Sequence, residues 1–241
     1  MKKSVLSIAL VASLAFVLSL VGISSMVIRQ AATANNSIAA PTPALSVAPT
    51  SPVVSDVHTT TVWSVRPSLA YDALNFFNAL TGDPFYLDFY QDEYDRFHSQ
   101  ATPEVEAAIA TLNATRQQYQ FIVSAALSTV FAPGNPETID DLLALAANPE
   151  PLHQALLQSG LGSTAEIEAK WPLVESLLPS VTTILVFLQS VGFEEYWRAE
   201  VLPAEQALAE QLQTRLRDYN VVPAVEALTG RQLPGNHVEI Y

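Results

Sequence analysis

Apolar residues in this chain recur every three to four positions far more often than every two. Proline directly after a capping residue is a repeated start signal, at Asp83-Pro84, Thr102-Pro103, Asn135-Pro136 and Asn148-Pro149. Such a proline suits the first helical position because its missing N–H would have no partner there anyway. Ser163 and Glu166 have capping-box spacing, and Gly82 and Gly160 suit helix ends, where a left-handed residue closes the last turn. The pattern predicts helices near 68–80, 84–99, 103–131, 137–147, 150–159, 164–178, 180–190, 193–200, 203–218 and 221–228. Pro172 and Pro179 are expected to kink or divide the helices they fall in. The run SVTTILVFLQSVG, 180–192, is apolar almost all round but too short to span a bilayer, which suits a central helix surrounded by others.

Two stretches carry strand patterns instead: VHTTTVWSV at 57–65 and HVEIY at 237–241. Two short strands paired only with each other would be marginal. The second pattern reaches Tyr241 with no polar tail, so the expectation is a C-terminally truncated piece with further strands to follow. The predicted fold class is mainly α: a multi-helix globular bundle with minor terminal β-strands, behind an N-terminal signal or anchor helix.

Lys2 and Lys3 precede an uncharged run from Ser4 to Ile28, the pattern of an export signal. Its length also suits a retained anchor with the lysines on the cytoplasmic side, while Ala32-Thr33-Ala34 offers a cleavage site. Length and cleavage pattern disagree, so residues 1–30 are a signal peptide or a membrane anchor. Residues 31–56, rich in Ala, Pro, Ser and Thr, read as a tether. Residues 57–241 then form the helical extracytoplasmic domain: secreted, periplasmic or anchored to the outer face of the membrane. That domain has 8 Lys+Arg against 23 Asp+Glu, a net charge of −15. The excess argues against nucleic acid and anionic lipid as partners, leaving the N-terminal segment as the membrane contact. Without cysteine there is no disulfide, thiolate nucleophile or Cys-ligated metal.

The densest candidate chemistry is DPFYLDFYQDEYDRFH, 83–98. On a helical wheel Phe85, Tyr86, Leu87, Phe89, Tyr90, Tyr94 and Phe97 share one arc, with Asp88, Asp92 and Asp95 opposite. One helix face rarely supplies the roughly six oxygens a hard cation wants, so the acids read as a solvated face and the rings as core rather than a sugar platform. Glu93 falls inside the aromatic arc, and Arg116 falls inside the apolar stripe of the 103–131 helix. Both read as structural buried charges. Too far apart along a hairpin to meet directly, each is expected to find a charge on a third helix, with Asp72 or Glu194 candidates for Arg116. GLGSTA at 160–165 follows a helix rather than a strand and so reads as a turn, not a dinucleotide loop. His58, His98, His153 and His237 show no i, i+4 spacing and no H-E-x-x-H, so no catalytic residue, cofactor or metal site is encoded in these residues.

Three stretches, SLAYDALNFFNALTGDPFY (68–86), FLQSVGFEEYWRAEVLPAEQALAEQLQ (187–213) and LTGRQLPGNHVEIY (228–241), together resemble exported bacterial proteins of the zinc-metallopeptidase-like, gluzincin type. The resemblance is one of pattern and order; the zinc-binding histidines and catalytic glutamate are missing. It implies a non-catalytic helical portion, with Val238, Glu239, Ile240 and Tyr241 as a substrate-cleft edge strand and zinc only if a further segment supplies its ligands. The alternative is a stand-alone helical binding or scaffolding module of the cell envelope. A monomer with an unidentified peptide or envelope partner suits either reading.

Overall fold

The computed structural model describes residues 58–230, 232–233 and 235–241; the expected signal or anchor and the tether at 31–56 lie outside the described residues. The fold is mainly α. In chain order the elements are β1 (Val62–Val65), α1 (Leu69–Leu80), α2 (Pro84–His98), α3 (Pro103–Tyr119), α4 (Val123–Phe131), a 3-10 turn (Ala132–Gly134), α5 (Ile139–Ala146) and α6 (Pro149–Gln158). There follow α7 (Thr164–Ser190), α8 (Phe193–Tyr196), a π-helical stretch (Trp197–Val201), α9 (Leu202–Leu216), α10 (Val221–Thr229) and β2 (His237–Ile240).

Two helices organise the core. α1 is buried on most of its circumference, through residues such as Leu74, Phe76, Phe77 and Leu80, and packs on α2, α4 and α5. The second half of α7 buries Val181, Ile184, Leu185 and Leu188, with α3, α5, α6 and α8 against it. Length and hydropathy alone would let α7 cross a bilayer; its neighbours make it a core helix. The caps follow the sequence signals. Asp83, Thr102 and Ser163 accept backbone N–H bonds at their helix starts. Thr138 with Asp141 adds a capping box, and Gly82 and Gly160 take the left-handed conformation at φ 69° and 72°.

Several expected boundaries are corrected. Pro172 and Pro179 do not divide α7, which runs unbroken from Thr164 to Ser190. The prolines are seven residues apart, on one exposed face. The carbonyls they leave without an intrahelical donor, those of Glu168 and Glu175, belong to exposed residues that water can reach. The single helix expected over 103–131 is instead broken at Gln120, in the left-handed region at φ 54°, ψ 47°. The break is stabilised from α1. The N-cap position of α4, Ile122, has no side-chain cap, and buried Asn78 takes over: its Oδ1 accepts from the Ser124 N–H at 3.0 Å while its Nδ2 donates to Ser124 Oγ at 2.7 Å. The stripe read across 103–131 therefore does not persist, and Tyr119 is exposed. The helices expected at 193–200 and 203–218 run into each other through the π-helical stretch.

The terminal strands pair with each other, and they do so in parallel, Val62 opposite His237 through Val65 opposite Ile240. β1 is shorter than the 57–65 pattern. Thr61 sits just before it, its N–H donating to Asn220 Oδ1 (3.1 Å) and its Oγ1 accepting from the Val222 N–H (2.9 Å). α9 lies against β1, so the small sheet does not stand alone.

Candidate functional site

The parallel register decides which main-chain groups of β2 are free. Val62 N–H donates to Asn236 C=O at 2.8 Å and Arg66 N–H to Ile240 C=O at 3.0 Å. In such a ladder alternate residues of each strand face the partner, so Val238 and Ile240 commit their backbone to β1. His237, Glu239 and Tyr241 turn theirs away, and no described residue bonds to them there. The two side-chain sets alternate likewise: Val238 and Ile240 are half-buried, His237 and Glu239 exposed.

The opposite edge of the sheet is closed. Gln213 of α9 lies along β1 as a single amide would in a neighbouring strand, its Nε2 donating to Trp63 C=O (2.7 Å) and its Oε1 accepting from Val65 N–H (2.9 Å). Asn220 adds one bond on the same side, its Oδ1 accepting from the Thr61 N–H at 3.1 Å. The Trp63 indole N–H donates to Tyr219 C=O at 2.8 Å, tying the edge to the start of α10.

Of the four residues expected as a cleft-edge strand, Glu239 thus presents both backbone and carboxylate, Val238 and Ile240 hold the strand in place, and Tyr241 is an anchor. The Tyr241 ring stacks on Tyr71 at 4.7 Å between centroids and lies under the Arg66 guanidinium. Its hydroxyl accepts from Arg66 Nη2 (3.0 Å) and sits against both Asn135 Oδ1 (2.8 Å) and the Glu239 carboxylate, with a single proton to donate between them. Burial is the main cause that pushes the Tyr241 phenol up from its ordinary value.

The expected buried charges are both half-buried, and their partners correct the expectation. Arg116 pairs with Asp83, the N-cap of α2, at 3.1 Å, and with Asn113 on its own helix, not with Asp72 or Glu194. Glu93 meets no charge: its Oε1 accepts from the Tyr196 hydroxyl at 2.6 Å. Asp88, Asp92 and Asp95 are exposed. The aromatic arc is only partly core. Phe97 is buried, and Tyr86, Leu87, Tyr90 and Tyr94 pack on the core, but Phe85 is 48% exposed and leans on half-buried Phe89. Tyr90, at φ −113°, ψ 24°, leaves helical geometry and turns the first half of α2 away from the wheel that predicted it.

Each histidine sits beside one glutamate: His58 by Glu226, His98 by Glu106, His153 by Glu168 and His237 by Glu239. The four pairs lie on separate elements, and no group of three or more metal-ligating side chains occurs among the described residues.

One constellation escaped the sequence reading. Asp72, in the first turn of α1, accepts from the Trp197 indole N–H at 2.7 Å and shares a hydrogen bond with Glu205 in the first turn of α9. Trp197 opens the π-helical stretch, whose wider turn sets the phase between α8 and α9. Two carboxyls in that contact hold a proton between them. Burial pushes Asp72 up, and burial followed by the nearby Asp72 charge pushes Glu205 up to about 9. Burial likewise raises the Tyr90 phenol beside the pair. A general acid needs a cleft, and neither prominent cavity supplies one. A cavity of about 480 Å³ is lined by Ala146, Pro149, Glu175, Leu178, Pro179 and Thr182. Another of about 190 Å³, beside Arg66, Ser68, Glu137, Thr138, Trp197 and Arg198, is not lined by either carboxyl. The pair is a joint between α1 and α9. A lone acid in the otherwise apolar α1 was the available signal; Glu205, on a polar helix, gave none.

Comparison with known protein families, with curated proteins and with solved structures finds no match to this chain.

Proposed function

We propose that the helical domain is a non-catalytic, peptide-receiving module that holds one short strand ready to be extended by another chain. The observation that supports this reading is the asymmetry of the sheet: β1 is sealed by Gln213 and Asn220, while β2 turns main-chain groups at His237, Glu239 and Tyr241 away from β1, with no partner there among the described residues. Natural edge strands are blunted by shortness, charge, proline or a bulge; β2 is four residues long and carries Glu239, but has no proline or lysine, and its register with β1 is continuous. Added strands bind through the main chain and are selected through alternate side chains.

In the metallopeptidase-like version of this reading, the module is the substrate-side portion of an exported protein, β2 edges the cleft, and zinc is bound by ligands on a further segment. In the alternative, a stand-alone binding or scaffolding module of the cell envelope uses the same edge. An extracytoplasmic location belongs to both and rests on the N-terminal sequence pattern. The test is amide deuterium exchange on the full chain with short extended peptides. The Glu239 and Tyr241 amides are expected to exchange freely alone and slowly with peptide, and a peptide N-methylated at its bonding residue is expected to have no effect. Unchanged exchange across a varied peptide set would sink the reading. Zinc content and peptidase activity of the complete gene product separate its two versions.

A further inference from the structure

We infer that the strand β2 receives is a basic one, with lysine or arginine opposite Glu239 and apolar residues on either side. This rests on the open-edge reading above. Glu239 stands at the centre of the free edge: its N–H and C=O face away from β1, and its carboxylate, on the exposed face of the strand, accepts from the Tyr241 hydroxyl and lies 3.7 Å from His237 Nε2, leaving it a negative group that a cation on a neighbouring strand can reach. A residue added directly opposite it in an extended chain brings its Cβ within about 5 Å, where opposite charges attract and like charges repel. Residues one position away in the incoming strand lie on the other face, with half-buried Val238 and Ile240, and apolar side chains extend that surface.

Charge also selects among occupants. The domain carries a net −15, so an acidic or polyanionic chain is repelled at long range as well as at contact. A second copy is disfavoured for the same reason. Antiparallel pairing of two β2 strands about a two-fold axis at Glu239 sets one Glu239 carboxylate against the other, between two bodies of like charge. The edge is four residues long, so only a few main-chain bonds form and the side-chain term decides between peptides.

The experiment titrates the full chain with acetylated, amidated pentapeptides Thr-Val-X-Val-Thr, where X is lysine, glutamine or glutamate. The lysine peptide is expected to bind up to about fivefold more tightly than the glutamine peptide, with the glutamate peptide weakest and the differences shrinking in high salt. Glu239→Gln is expected to erase the preference among the three peptides. Equal binding of all three peptides overturns the charge inference and leaves the open edge standing. Binding of none, or equal binding of an N-methylated lysine peptide, overturns the open edge itself. Concentration-dependent dimerisation that competes with the lysine peptide makes a second copy the occupant and overturns the inference.

Discussion

Asn78 does at a distance what a capping serine does locally. Both ends of its amide are spent on Ser124, inside the core, at the start of a helix with no cap of its own. Asn78→Ala strands the buried Ser124 N–H and takes one of two partners from the Ser124 hydroxyl, which also bonds Tyr86, and an unsatisfied buried group costs about 1–3 kcal/mol. The expected loss in urea unfolding is therefore about 2 kcal/mol or more, whereas Asn113→Ala, at a half-buried surface position, is expected to cost far less. Residue-scale features were legible where they are local. Asp83, Thr102 and Ser163 could be read as caps because a cap needs only its next few neighbours. Arg116 and Glu93 could be flagged as charges in apolar stripes, but not matched, because Asp83 and Tyr196 reach them through tertiary packing. Asn78, a polar residue in an apolar helix, carried the same kind of flag and was passed over.

At the scale of elements, the register of β2 predicts opposite outcomes for proline at two adjacent positions. The Glu239 N–H points away from β1, so Glu239→Pro leaves the ladder intact, as proline does on the free side of an edge strand. The Ile240 N–H is used by the ladder, so Ile240→Pro removes a bond and detaches the strand. Thermal melting should separate them: a change within about 0.5 kcal/mol for the first, a clear loss for the second, with peptide protection lost in both. Equal loss of stability in the two variants counts against the register. Helix existence was readable from period and caps, and helix continuity was not. Pro172 and Pro179 reside where water replaces what they remove, and Gln120 breaks a helix whose residues favour continuing it. Both outcomes are set by what surrounds the helix, which periodicity does not record.

Across the whole molecule, contacts between the first and last thirds close the chain: β1 on β2, His58 on Glu226, and Asp72 on Glu205. The last makes closure pH-dependent. Folded, Glu205 keeps its proton up to about pH 9; unfolded, it releases it in the ordinary carboxylate range. Between those limits folding takes up a proton. This contribution is complete below the unfolded pKa and declines as pH rises toward about 9, by at most about 1.4 kcal/mol per unit for one proton. Urea midpoints at pH 5, 7 and 9 should fall in that order, and Glu205→Gln should flatten the trend. A wild-type profile that is flat or rising from pH 5 to 9 would rule out the shared proton.

The amide of Gln213 has a further consequence, for valency. Because it occupies the outward side of β1, the described residues offer a socket at β2 and no matching plug at β1. Head-to-tail addition of copies, β2 of one on β1 of the next, is therefore blocked, and with it the heterologous growth that builds fibres. Gln213→Ala removes two of the bonds on that edge but leaves Asn220 and α9 over β1, so light scattering should show no growth with concentration in either the parent chain or the variant.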